Sequence, residues 1–197
     1  MGTTKKILQM AEKNNGIVTS AMVKNEELSL GNLKYLYDIG KLEKVARGVY
    51  LLPNAIEDEF LNLQNQFKRG IFSLETALFL WGLTDQTPNH YCMAFPSGYN
   101  LTNAKKTSIK CFQTIKKLYP LGLTEITTPC GNIVHTYDME RTLCDILRPK
   151  NNVDIQIITE AFKNYVQRKD KNIPKLSENA KILKVEYKLR AYLEVLL

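Results

Sequence analysis

Two histidines, one tryptophan and four cysteines are all that 197 residues hold of the types that most often mark metal, redox or disulfide chemistry. Cys92, Cys111, Cys130 and Cys144 stand 14 to 19 residues apart with no CxxC pair, which excludes a local zinc or dithiol motif. No export signal accompanies them, so disulfides are not expected, and small buried hydrophobes are the expected role. No apolar run reaches the roughly 18 residues of a membrane span, and the polar N-terminus does not read as a secretion signal. A soluble cytoplasmic protein is therefore expected. Ten glycines and seven prolines are too few for a collagen-like or low-complexity chain, and 44% hydrophobic residues exclude a disordered one. GxxxxGK[ST], GxGxxG, HExxH and GxSxG motifs are all missing, so neither catalysis nor a cofactor is expected.

What is present is a basic excess with a distribution. The net charge of +7 divides into +3 over residues 1–55, +1 over 56–150 and +3 over 151–197. The two ends of the chain thus carry the attraction for a polyanion.

Residues 1–55 read as one domain. Thr4 is a plausible N-cap for a helix through Lys13 with Ile7, Leu8 and Ala11 on one face, stopped by Asn14-Asn15-Gly16. Ile17-Val18 is a short apolar stub, and Thr19 or Ser20 caps a helix through Lys24. Ser29 caps a third helix in which Leu30, Leu33, Leu36 and Tyr37 recur at helical spacing, until Gly40 ends it. Lys41–Val45 and Val49–Leu52 then form a hairpin around Ala46-Arg47-Gly48. That order is a winged helix-turn-helix. Its second and third helices would pack through Met22, Leu33 and Leu36. The free face of the third would offer Ser29, Asn32, Lys34 and Tyr35 to phosphates and base edges. The wing adds Lys41, Lys44 and Arg47, while Asp38 and Glu43 interrupt an otherwise basic surface. Solvated helix residues or a protein–protein module are the alternative for the same positions.

Residues 56–197 read as a mixed α/β domain with a small sheet covered by helices, giving an α+β chain overall. Helices are expected over Ile56–Gly70, Leu74–Trp81 (capped by Ser73), Met139–Leu147 (capped by Asp138), Val153–Arg168 and from Ser177 to the C-terminus. Strands are expected over His90–Phe95, Ile109–Gln113, Leu123–Thr128 and Ile133–Tyr137. Asp85, Glu125, Asp138, Glu140 and Asp145 are the carboxylates from which a Mg²⁺-dependent nuclease could be built, although caps and solvated surface account for most such residues. Arg141 and Asp145 are spaced for an i,i+4 ion pair. Lys163, Arg168, Lys169, Lys171 and Lys175 read first as a solvated face, and otherwise as a surface for flanking phosphate, a protein partner or RNA.

Three segments carry a family likeness: GKLEKVARGVYLLP at 40–53, SLETALFLWGL at 73–83 and GNIVHTYDMERTLCDIL at 131–147. In this order and spacing the chain resembles the AbiEi antitoxins of bacterial type IV toxin–antitoxin systems, which confer abortive-infection immunity to phage. Glu43 within the wing departs from the family's basic pattern. The resemblance implies an N-terminal domain that represses its own operon at inverted repeats in promoter DNA. It also implies a C-terminal domain that counters a nucleotidyltransferase toxin without a stable complex. Lys41, Lys44 and Arg47 fall on the family's wing and Asn32, Lys34 and Tyr35 on its recognition helix. Arg141, Thr142 and Asp145 fall on a C-terminal motif whose role the resemblance leaves open. Since no long heptad is present, monomers that load cooperatively on DNA are expected. A repressor with a ligand-sensing second domain and a Mg²⁺ nuclease remain the rival readings.

Overall fold

A computed structural model describes residues 2–196, with side chains through residue 194. The fold is mixed α+β, built from two small sheets and helices. It divides into two compact units. One comprises residues up to Lys68 together with Thr127–Val134, and the other Arg69–Ile126 together with the chain from His135 onward.

In the first unit α1 (Thr3–Lys13) precedes β1 (Ile17–Thr19), α2 (Ser20–Asn25), α3 (Gly31–Asp38), β2 (Glu43–Ala46) and β3 (Val49–Leu51). The strands form an antiparallel sheet in the order β1-β3-β2. Helix α1 starts two residues earlier than expected. Gly2 occupies the cap position and its carbonyl accepts from Lys5 and Lys6 N–H, so Thr4 lies inside the helix. Ile7, Ala11, Val18, Val23, Leu33, Leu36 and Leu42 make the core under the helices. Val23, not Met22, is the residue of α2 that is fully buried. On the other side of the sheet Ile17, Val49 and Leu51 pack with Leu61 of α4 (Glu59–Gln66).

That packing puts α4 with the first unit, past the expected boundary at residue 55. The reason is Asp58. Its buried carboxylate caps α4, accepting from Phe60 N and Leu61 N, and also accepts from Thr128 Oγ1 and Asn132 Nδ2. One side chain thereby ties α4 to the 127–134 hairpin tip 70 residues later in the chain.

The second unit holds a five-stranded sheet in the order β6-β5-β4-β8-β7. The strands are β4 (Ile71–Phe72), β5 (Tyr91–Pro96), β6 (Ile109–Thr114), β7 (Leu123–Thr127) and β8 (Ile133–Tyr137). β5 runs parallel to β6 and antiparallel to β4, while β4 runs parallel to β8. β4 is too short for any periodic signal, so it escapes a sequence reading. The helices are α5 (Leu74–Leu80), α6 (Met139–Ile146), α7 (Ile155–Gln167), α8 (Ile173–Leu183) and α9 (Glu186–Leu196). Leu78, Leu143, Phe162, Tyr165, Leu176, Ala180 and Leu189 lie at the centre of their core.

The single helix expected from Ser177 onward is two helices. The first starts earlier, capped by Asn172, and stops where Lys184 turns left-handed at φ +59°. Ala180 and Leu183 are buried as expected, whereas Tyr187 is 89% exposed because the break rotates it off that face. Leu197 lies outside the described residues.

Candidate nucleic-acid interface

Short-range hydrogen bonds set α2, α3 and the turn between them. Thr19 Oγ1 accepts from Met22 N at 3.2 Å and starts α2. Ser29 Oγ accepts from Gly31 N at 3.3 Å and closes the turn into α3. At its far end Gly40 N bonds Tyr37 O and Lys41 N bonds Leu36 O, a Schellman closure that fixes where Lys41 leaves the helix. Leu33 and Leu36 are the buried pair of α3, and Leu30 and Tyr37 are exposed. The apolar stripe is therefore narrower than the four-residue spacing implied.

Of the expected contact residues, Lys34 and Tyr35 are exposed on α3, Ser29 is exposed at its start and Asn32 is half-buried. Tyr37 joins this surface, at 48% exposure beside 54% for Tyr35. Sequence spacing alone assigned Tyr37 to the core. Its place at the last turn, where the chain departs toward β2, is what frees it.

The hairpin is pinned by its turn. Ala46 faces Val49 across Arg47-Gly48, and the register shifts at Val45, which bulges β2. Gly48 has φ +77°, its carbonyl accepts from Ser20 N at 2.8 Å, and a Cβ there would lie 3.2 Å from Ser20 Oγ. The turn thus rests on the start of α2, leaving Arg47 exposed. Lys41 and Lys44 are exposed as well. Among the described residues none of Lys34, Lys41, Lys44 and Arg47 forms an ion pair. Four cations on α3 and the hairpin have no internal anion.

The C-terminal motif lies at the opposite extreme of exposure. Arg141 is fully buried: its Nε donates to Asp145 Oδ2 at 2.8 Å and its Nη1 to the carbonyls of Leu118 (2.7 Å) and Leu121 (3.0 Å). Its guanidinium stands 4.5 Å over the Tyr137 ring, and burial pushes the Tyr137 hydroxyl well above its ordinary range. Thr142 is also fully buried, donating to Tyr137 O, and Asp145 reaches Arg148 with its other oxygen at 3.4 Å. The i,i+4 pair exists, but as an interior pair rather than a surface one.

Of the remaining acidic residues, Asp138, Glu140 and Glu125 have internal partners. Asp138 caps α6 through Arg141 N and meets Lys175 Nζ at 2.9 Å. Glu140 Oε1 accepts from Tyr165 OH and Asn172 N. Glu125 is 3.6 Å from His135, and Asp85 is exposed. Among the described residues no three His, Cys, Asp or Glu side chains could share a metal ion. The C-terminal cations divide likewise. Arg168 pairs with Asp170 and donates to Trp81 O, Lys171 donates to Arg168 O and Lys175 pairs with Asp138. Lys163 and Lys169 are left as exposed residues.

The chain is a two-unit α+β protein, and the cations of α3 and the hairpin give its first unit a candidate face for nucleic acid. Residues 5–53 match the family model described as transcriptional regulator, AbiEi antitoxin, about a quarter of the chain. The crystal structure of the RV2827C protein from Mycobacterium tuberculosis is similar in fold, with a TM-score of 0.56 at 14% identity over 92% of this chain and 72% of that one. No curated protein matches the chain. Among the described residues no helix is long and apolar enough to cross a membrane.

Proposed function

We propose that the first unit is a winged helix-turn-helix that binds promoter DNA, with α3 in the major groove and the Arg47 hairpin against the backbone or the minor groove. The observation that carries this reading is the set of four exposed cations without internal partners on the one segment that matches the AbiEi regulator family. Lys34 and half-buried Asn32 are side chains that can read base edges, and Tyr35 adds an apolar surface for thymine methyls. Lys41, Lys44 and Arg47 neutralise phosphates. In this reading the chain represses its own operon at inverted repeats, two monomers loading cooperatively, and its second unit counters a nucleotidyltransferase toxin as a non-enzymatic antitoxin. A soluble, cytoplasmic setting and a role in abortive infection go with it. The support beyond the DNA-binding segment is the family likeness of 131–147.

Fluorescence anisotropy of the full chain on its own promoter tests the DNA-binding part. Arg47→Ala should weaken binding at every sequence and flatten the log–log salt dependence by about one unit. Asn32→Ala should narrow the gap between operator and random DNA. Wild-type protein binding operator and random DNA equally would sink the repressor reading. Growth rescue on co-expression with the neighbouring toxin tests the division of labour. Lys44→Ala/Arg47→Ala should lose operator binding and keep rescue.

A further inference from the structure

Glu75 of α5, Cys92 of β5, Lys110 of β6, Ile157 of α7 and the loop at 84–90 line a cavity of about 180 Å³ within the second unit. Ser73 makes no cap bond at the start of α5, contrary to expectation. Glu75, in the first turn, is half-buried and takes its one hydrogen bond from Cys92 Sγ at 3.3 Å. A thiol is a weak donor. Among the described residues this carboxylate has no ion pair.

Lys110 stands beside Cys92 in the parallel register of β5 and β6, on the same face of the sheet. Its ammonium is also without an ion pair among the described residues. The two charges act on the thiol in opposite directions. Burial first pushes the Cys92 thiol up, Glu75 adds to the rise and Lys110 opposes it. Opposite charges thus flank one buried side chain without closing on each other, and both line the cavity. A charge drawn partly out of water is costly until it meets a partner. The volume equals about six waters, room for a ligand of about six to nine non-hydrogen atoms and too little for a nucleotide.

We propose that this cavity binds a free α-amino acid with a short side chain, its ammonium on Glu75 and its carboxylate on Lys110. Each contact is a charge-assisted hydrogen bond that the chain itself does not supply. An amine alone would leave Lys110 unmatched, and a carboxylate alone would leave Glu75 unmatched. The zwitterion is the class that uses both. Gln86 and Asn89 offer neutral hydrogen-bonding groups to a short polar side chain, and Ile157 an apolar wall. The site is independent of the DNA-binding reading and gives the second unit a small-molecule input.

Calorimetric titration of the full chain with L-serine at constant ionic strength tests it. Ethanolamine and 3-hydroxypropionate, each lacking one of the two charged groups of L-serine, are separate probes. Saturable binding of L-serine at one site per chain is expected, with each fragment weaker by about tenfold or more. Glu75→Gln keeps an acceptor for Cys92 Sγ and should weaken L-serine binding about tenfold or more. Lys110→Ala should do the same, and Lys110→Arg should retain binding. Lys110 is exposed, so Lys110→Ala should keep the wild-type Tm, which separates lost binding from lost folding. Lys169→Ala should bind as wild type. Absence of saturable L-serine binding up to about 10 mM, a fragment that binds as tightly as L-serine, or wild-type affinity in Glu75→Gln or Lys110→Ala overturns the proposal.

Discussion

Gly122 and Arg141 lie in direct apposition: a Cβ on Gly122 would stand 2.6 Å from the Cβ of Arg141 and 2.9 Å from Asp138 Oδ2. Gly122 also holds φ +70° and its carbonyl accepts from Asp138 N at 2.7 Å. The loop before β7 is thereby closed against the first turn of α6, and the carbonyls of Leu118 and Leu121 are brought to Arg141 Nη1. Arg141, Thr142 and Asp145 are the inside of this arrangement.

Arg141→Ala should therefore act through folding. It leaves Asp145 without its main partner and two carbonyls without a donor, a loss of about 3–5 kcal/mol for a broken interior pair. Calorimetry of the second unit's transition should record a drop on the order of 10 °C. Gly122→Ala should lower the same transition without touching any charge, through its strained φ and the overlap with Arg141. An Arg141→Ala protein of wild-type Tm that fails to rescue growth would instead make Arg141 a contact residue.

Asp58→Ala removes a cap and two tertiary hydrogen bonds at once. A loss of about 2–3 kcal/mol is expected, larger than for an ordinary N-cap because Thr128 Oγ1 loses a buried acceptor. Hydrogen exchange should show faster exchange at Phe60 and Leu61 amides and in the 127–134 tip. Change confined to α4 would show that the tip holds without Asp58.

The cysteines should separate by burial. Cys92 and Cys144 are buried and their thiols are pushed up to about 12, chiefly by desolvation. A raised thiol pKa favours the neutral form, so at pH 8 only about one molecule in ten thousand carries a thiolate at either position. Cys111 and Cys130 are raised as well but are partly exposed. Alkylation at pH 8 followed by mass spectrometry should modify Cys111 and Cys130 first. Early labelling of Cys92 would contradict the packing described.

Lys175 and Lys169 should part company. Lys175 is held above its ordinary pKa first by its hydrogen bond to Asp138. A raised lysine pKa stabilises the fold below the unfolded value and loses that contribution as pH rises through the folded one, so the effect fades above about pH 10.5. Lys175→Ala should cost up to about 1 kcal/mol at pH 7, given its partial exposure, and nothing at pH 12. Lys169→Ala should be silent at both. Equal Tm losses for the two variants at pH 7 would place Lys175 on the solvated face.

Local rules carried much of this protein into view before any coordinates. Thr19 and Asp138 act as caps on bonds that reach only three residues along the chain, and the Arg47-Gly48 turn and the α3 pair Leu33 and Leu36 follow from spacing. Wherever the deciding partner lies far away in sequence, the residues alone were silent. Leu118 is 23 residues from Arg141 and Thr128 is 70 from Asp58, so nothing local says that one motif is interior or that α4 joins the first unit. The basic excess shows the same divide. Of its N-terminal share, Lys34, Lys41, Lys44 and Arg47 are exposed with no ion pair among the described residues while Lys6 pairs with Glu26, and Arg168, Lys171 and Lys175 of the C-terminal share are engaged by Asp170, a carbonyl and Asp138. Composition counts charges, but only tertiary packing decides which have an internal partner, because screening and pairing act over ångströms in space and not along the chain.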